Sequence, residues 1–443
     1  DEWAALLAQH WEAAGETLEA ARWHARAAAW TGTRDPIESL RHWHLVCDLA
    51  DSLPESEEVI GLRIVSRVFA LQYGWRLGIA HDEAEEMFTE AERLCSKVGD
   101  LRSRALLVSV WAGYRGVTEG DMRAMAELGD QVLAIAEEAG DPGLYMSVAG
   151  VSYGSFGLGD YRKTVRLLDR AMEQGDPTMD AVTVVCPLGY CLVFKAGALA
   201  SLGELAEAGE LLERGIALCR EEGDLETAGW GHMWSFWHRF FSGEADAALT
   251  QAQQALEVAE RLGDSFSRTW AWAFFGAAQL AHGRWEEAQE ALERSAQMSR
   301  ERRTAVEGRG WVRSWLAEAH LGLEETDRAL ELAREGVEIA AAGGLLPSEA
   351  FGRLVLGRVL LASGPDAAGE AGEQLAQALE ICRRTGGRSL EPVIHVELAE
   401  LARLGGDEAT RERELQQAHR IFTEIGAAAH ADRLAGDLET LTS

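Results

Sequence analysis

The glycines of Gly154-Ser155-Phe156-Gly157-Leu158-Gly159 are spaced closely enough to cradle a phosphate. A phosphate loop of that kind closes on Gly-Lys-Ser/Thr, whose lysine meets the terminal phosphates, and no such lysine follows here. A dinucleotide fingerprint needs a preceding strand and differently placed glycines. A turn between two helices accounts for this stretch, and for Gly308-Arg309-Gly310 as well. His42-Trp43-His44 puts two imidazoles roughly 200° apart on a helix, so they cannot share a metal ion. His232 and His238, six positions apart, fare no better, and there is no His-Glu-x-x-His. Acidic runs such as Asp82 to Glu86 read as solvated helix faces, not as acid–base pairs. A hydrolase nucleophile is not expected. Cys47, Cys95, Cys186, Cys191, Cys219 and Cys382 have neither metal-finger spacing nor the look of a disulfide framework, and read as buried free thiols. The expectation is no catalytic residue, no metal and no cofactor.

The remaining candidates are aromatic. Trp230, Met233, Trp234, Phe236, Trp237, Phe240 and Phe241 form one broad stripe at helical spacing. Trp270, Trp272, Phe274 and Phe275 follow about forty residues later, and Trp311 and Trp315 about forty after those. Packing between neighbouring helices explains any one of them. So many at equivalent positions exceed what an alanine-rich stack needs, so some are expected to line a concave groove. Trp230, Met233, Trp237 and Trp270 are the expected floor, with Arg309, Arg313, Arg353 and Arg358 as polar anchors beside it. Such a groove suits a peptide or helix with apolar anchors and acidic groups, or a small effector. On this reading Trp237→Ala with Trp270→Ala weakens binding and leaves helicity nearly intact.

The elements that must position these residues come from a repeat. Gly203-Glu204, Gly243-Glu244 and Gly283-Arg284 are forty residues apart, each with an alanine five places after the glycine: Ala208, Ala248 and Ala288. The spacing slips at Gly322, where the alanine is Ala329. A second beat, Gly99-Asp100, Gly140-Asp141, Gly223-Asp224 and Gly263-Asp264, marks the end of the following helix. A period of this length is that of a solenoid of helical hairpins, each hairpin stacking on its neighbours with no single enclosed interior. Helices are expected from about Glu2 to Ala13, Thr17 to Trp30, Pro36 to before Pro54, Glu55 to Arg76 and His81 to Val98. Later turns fall near Gly120, Gly159, Gly203, Gly243, Gly283, Gly322, Gly364 and Gly405, with a stretched repeat around Pro177 to Pro187. One helix of each pair has a wet back, as in Leu249, Ala252, Leu256, Ala259 and Leu262 against Gln251, Gln254 and Glu257. Its partner, with Phe266, Trp270, Trp272, Phe274 and Phe275, is apolar nearly all round and belongs to an inner layer.

Composition agrees with an all-helical chain: alanine, leucine, glutamate and arginine dominate the 443 residues, and there are only 8 prolines. The formal charge of −31 argues against nucleic acid and anionic membranes as partners, and fits solubility or a cationic partner. Lysine occurs only at Lys97, Lys163 and Lys195, the arginine-biased usage of a GC-rich bacterial genome. The longest apolar candidate for a membrane span, Ala181 to Phe194, is too short and contains Pro187. Without a basic-then-apolar leader, a cytoplasmic location is expected. The chain opens at Asp1 already in helical pattern and reads as a fragment.

The repeats resemble the long tetratricopeptide repeats of bacterial signalling ATPases and large transcriptional regulators. Two stretches carry a narrower resemblance: Leu7-Ala8-Gln9-His10-Trp11-Glu12-Ala13-Ala14-Gly15 through Ala21 to Ala28, and Arg411-Glu412-Arg413-Glu414-Leu415 through Phe422 to Ala427. Both are similar to the C-terminal region of bacterial proteins in which a class III nucleotide cyclase domain precedes a P-loop ATPase of the STAND type and a tetratricopeptide array. The resemblance implies that catalytic domains lie before Asp1 and that this part regulates them.

The expected fold is therefore an all-α, right-handed superhelical solenoid of about ten helical hairpins with a period of about 40 residues. One array spans 1–443, with irregular helices in 1–54, regular repeats in 55–426 and a capping helix in 427–443. The expected function is non-catalytic: an interaction or sensor module binding a protein segment, a peptide or a small effector on its concave face. The alternative is a scaffold that assembles with copies of itself.

Overall fold

The computed structural model describes residues 2–32, 35–176 and 186–441, and every described element is helical. The chain opens with α1 (Ala4–Ala13), α2 (Thr17–Thr31) and α3 (Pro36–Asp51). Then come α4 (Glu57–Leu77), α5 (His81–Val98), α6 (Leu101–Val117), α7 (Met122–Ala139), α8 (Pro142–Gly157) and α9 (Tyr161–Gln174). The middle of the chain holds α10 (Pro187–Leu202), α11 (Leu205–Glu221), α12 (Leu225–Ser242), α13 (Ala245–Leu262), α14 (Ser265–Leu280) and α15 (Trp285–Arg302). The last helices are α16 (Arg309–Gly322), α17 (Thr326–Ala342), α18 (Leu346–Ser363), α19 (Ala368–Thr385), α20 (Glu391–Leu404), α21 (Glu408–Glu424) and α22 (Ala428–Leu441). The stretched repeat around Pro177 lies outside the described residues, except that Pro187 occupies the first turn of α10, where its missing N–H costs nothing.

The Gly-Asp beat has a direct structural cause. Gly99, Gly140, Gly223 and Gly263 take φ of 70°, 59°, 78° and 78°, the left-handed conformation that ends a helix. The aspartate that follows caps the next helix. The side chains of Asp100, Asp141, Asp224 and Asp264 accept from the backbone N–H of Ser103, Gly143, Thr227 and Ser267. One dipeptide thus stops one helix and starts the next.

The slip at Gly322 is explained by the same geometry. Gly322 is the last residue of α16, and the left-handed position of that turn is taken by Glu324, φ 63°. Counted from Glu324, the fully buried Ala329 is again five residues on. The repeat keeps its register and changes only the residue at the turn.

From α4 onward the helices alternate between two layers. The even-numbered helices pack on one another as an inner layer, α4 on α6, α6 on α8 and so on to α20, and the odd-numbered ones cover them from outside. In outer α13 the closest-packed residues are Ala248, Ala252, Ala255 and Ala259, while Leu249 and Leu256 are half-buried at the edges of the stripe. Inner α14 buries Phe266, Trp270 and Phe274. Its outward Trp272 donates its indole N–H to Glu260 at 2.8 Å and lies under the Arg294 guanidinium at 4.1 Å.

Neighbour-on-neighbour stacking is not the whole packing scheme. α14 touches α4, α18 touches α8 and α22 touches α12, each ten helices apart. Five hairpins therefore complete one turn of the superhelix, and the second turn sits on the first. Bonds mark the seam at intervals: Thr304 Oγ1 donates to the Trp75 carbonyl at 3.4 Å, Ser389 Oγ to that of Ala200 at 2.5 Å, and His430 Nε2 to that of Phe240 at 3.3 Å. One large apolar cluster consequently runs from Ile60 to Leu434.

Candidate functional site

Closing the superhelix turns its concave face into a chamber of about 170 Å³, walled by inner helices from both turns. The wall is mainly aromatic because the inner helices are apolar all round and their second apolar face has nowhere else to point. Trp230, Met233 and Trp237 reach it from α12, and Phe266, Trp270 and Phe274 from α14; Trp311 and Phe351 come from α16 and α18. The rings meet edge-on or offset, the arrangements aromatic pairs prefer. Trp237 lies 4.8 Å from Trp311 and 6.1 Å from Phe274 between ring centroids, and Trp270 stacks on Phe274 at 5.3 Å. Packing leaves Trp230, Met233, Trp237 and Trp270 buried, at 6%, 6%, 9% and 8% exposure, so the floor is interior to the molecule.

The four arginines expected beside these residues lie elsewhere. Arg309 and Arg313 border a separate pocket behind Trp270, where Arg309 donates to Ser299 and Arg313 pairs with Glu335 at 2.9 Å. Burial, with Arg300 and Arg313 nearby, pulls the Arg309 guanidinium below its ordinary pKa. Arg353 pairs with Glu349 at 2.8 Å and donates to Gln374. Arg358 bridges Glu318 and Glu397, joining three consecutive inner helices.

The arginine at the chamber wall is Arg76, at the end of α4. Its Nε donates to Glu226 Oε1 at 2.7 Å, a second guanidinium nitrogen donates to Oε2 at 3.0 Å, and the group lies over the Trp75 ring at 4.1 Å. Burial lowers the Arg76 pKa, but the Glu226 charge outweighs it and holds the group above its ordinary value. Asp264 sits beside this pair, and burial together with the like charge of Glu226 pushes its carboxyl up to about 7. Glu307 is buried in a one-turn 3₁₀ helix at Val306–Gly308. Its Oε1 accepts from Trp270 Nε1 at 3.1 Å and from the Tyr153 hydroxyl at 3.4 Å. Its Oε2 is buried with no hydrogen-bond partner among the described residues, and burial pushes the carboxyl up to about 8.

None of Arg76, Glu226, Asp264 or Glu307 was legible as a site residue. They are separated by up to about 230 residues and meet only because the superhelix turns tightly enough to close on itself. The available signal was a charged residue set directly against aromatics on an inner helix, as at Arg76 in Tyr73-Gly74-Trp75-Arg76.

Other stretches weighed for chemistry have packing roles. Gly154 and Gly157 bring α8 close to α7, since a Cβ at either would stand 2.6 Å from the Ala126 backbone or 2.5 Å from the Met122 methyl. His42 is buried against His24, Nδ1 to Nδ1 at 2.8 Å, and burial lowers its pKa to about 4. Among the described residues no group of three or more His, Cys, Asp or Glu side chains is placed to hold a metal ion. No described helix is long and apolar enough to cross a membrane.

No family model and no curated protein matches the sequence. Solved structures do. A Rap protein complexed with competence and sporulation factor superposes with a TM-score of 0.59 at 13% identity, over 84% of this chain and 99% of that one. The chain has the tetratricopeptide-type superhelical fold. A signal-transduction ATPase with numerous domains and a tetratricopeptide repeat sensor, from Pyrococcus horikoshii, matches at 16% identity and a TM-score of 0.46. This match covers 89% of the present chain and 57% of the ATPase. The Cut9 complex with Hcn1 from the APC/C matches at 11% identity and a TM-score of 0.44, over 99% and 91% of the two chains. The tetratricopeptide-like character read from the repeats agrees with the Rap superposition. At such identities the likeness is one of fold.

Proposed function

We propose that this chain is a non-catalytic sensing and protein-interaction module, in which an effector held in the aromatic chamber sets how the second superhelical turn seats on the first. The carrying observation is that both turns wall the chamber, where the buried Arg76–Glu226 pair ties the start of the first turn to its end and Glu307 of the second turn accepts from Tyr153 of the first. A ligand preferring one seating over the other would shift that equilibrium by its difference in affinity, which is what regulation requires. The Rap neighbour, solved with a bound factor, supports a binding role for a superhelix of this kind.

The protein partner docks at the N-terminal end of the array. Of the seven exposed large hydrophobics among the described residues, five, Trp3, Leu6, Trp11, Trp30 and Ile37, belong to the first three helices or their approaches. An apolar end of a solenoid is a surface for a neighbouring domain. By resemblance, that neighbour is an ATPase or cyclase-like domain of the same polypeptide in a bacterial cytoplasm.

The test is a thermal-shift screen of small molecules and peptides, read by tryptophan fluorescence, with light scattering of the free protein. A ligand that raises the melting temperature and alters the chamber tryptophans supports sensing. A mass well above 48.3 kDa with no ligand from either class favours the self-assembly scaffold instead.

A further inference from the structure

On the sensing reading, which it presupposes, we infer that the chamber takes an uncharged planar aromatic molecule of one or two fused rings. Size comes first. An apolar protein cavity of about 150 Å³ accommodates benzene, and this one is about 170 Å³.

Shape follows from the walls. The chamber presents ring faces and edges of Trp230, Trp237, Trp270, Phe274 and Trp311, against which a flat ring can take the offset and edge-on contacts that aromatic groups favour. The polar ends of several wall residues are already engaged with protein partners. Trp230 Nε1 donates to Ser267 Oγ at 3.1 Å, Trp270 Nε1 to Glu307 and Trp75 Nε1 to Gln72 at 3.4 Å. The wall hydroxyls of Ser201 and Thr385 donate to carbonyls of their own helices, at Gly197 and Ile381.

Charge is decided by the Arg76–Glu226 pair. Arg76, the one arginine among the described residues of the wall, is held by two bonds to the Glu226 carboxylate, so an anionic ligand that takes Arg76 must displace Glu226 and a cationic one that takes Glu226 must displace Arg76. Either exchange strands a buried charge, which is far costlier than leaving the pair intact. An uncharged ligand disturbs neither.

The test holds the ring constant and varies the charge. Calorimetric titration of the full chain with indole, tryptamine and indole-3-acetate should show indole binding, with both charged analogues at least tenfold weaker. No heat from indole at millimolar concentration, or tighter binding of either charged analogue, overturns the inference. A filling variant locates the site. Gly150 lines the chamber within α8, and a Cβ there meets only Ser109 Oγ, at 4.0 Å. Gly150→Leu should abolish indole binding with circular dichroism unchanged, and retained affinity places the indole elsewhere and sinks the proposal. Should that variant unfold, Gly150→Ala gives the same decision, as an indole affinity reduced severalfold or left unaltered. If indole fails while another class from the screen binds, sensing stands and only the ligand class falls.

Discussion

Arg76 and Glu226 show how a single contact is used to hold a long array shut. They are 150 residues apart in sequence, almost wholly buried, and bonded through two nitrogen–oxygen contacts. A buried pair costs much to desolvate, so its worth is seen when one partner is removed. Glu226→Leu alone should destabilise the protein by about 3–5 kcal/mol, and Arg76→Met with Glu226→Leu by much less. Urea unfolding of the three proteins checks this, and equal losses for the single and double variants would refute it. Glu307 makes a pH prediction. Its pKa rises on folding from an ordinary 4.5 to about 8, so the folded chain keeps a proton that the unfolded chain has released. Stability should therefore fall as pH rises across that window and level off above about 8. Glu307→Gln keeps an uncharged acceptor for Trp270 and should flatten the fall. Melting temperatures at pH 6 and 9 measure it, and an unchanged slope would show that the carboxyl is ionised throughout.

At the scale of the element, the hairpin turn is the unit most legible in sequence. Glycine in the left-handed conformation followed by a capping aspartate explains why the Gly-Asp beat could be read without coordinates. The α16–α17 turn is an informative exception, because Glu324 at φ 63°, like Arg303 at φ 48° after α15, stands where most turns use glycine. A side chain there costs on the order of 1 kcal/mol, so Glu324→Gly should raise stability by roughly that amount, within the offset of glycine's greater unfolded entropy. A loss of stability on chemical denaturation would mean that Glu324 makes a compensating contact. Helix ends were legible to within a residue or two: α4 starts at Glu57 behind its Ser56 cap, not at Glu55. Which face of an outer helix packs most tightly was harder to read, because close helix approach selects the alanines of α13 over its leucines.

At the scale of the whole molecule, five hairpins per turn make the concave face an interior. This changes what the tryptophans do. Read as groove residues, Trp237 and Trp270 could be truncated with little loss of fold. As buried rings between two superhelical turns, each should cost about 3–5 kcal/mol on truncation to alanine. The double variant should lose cooperative unfolding or melt far lower, as differential scanning calorimetry would show. A melting temperature within a few degrees of the parent would return both residues to a solvent-facing groove.

The local code, comprising glycine stops, aspartate caps, a forty-residue period and one wet and one apolar helix per pair, determined by itself that the chain stacks helical hairpins. It also marked the aromatic stripe of α12 and α14 as the place to look for a site. Tertiary structure alone decided that the stack turns tightly enough to seat α14 on α4, and hence that Arg76 meets Glu226 and that Tyr153 and Trp270 meet on Glu307. The reason is physical. Each hairpin's shape is set by bonds within a few residues, whereas the pitch of the superhelix is a sum of small inter-hairpin rotations. A few degrees of difference in each one separates an open groove from a chamber walled by both turns.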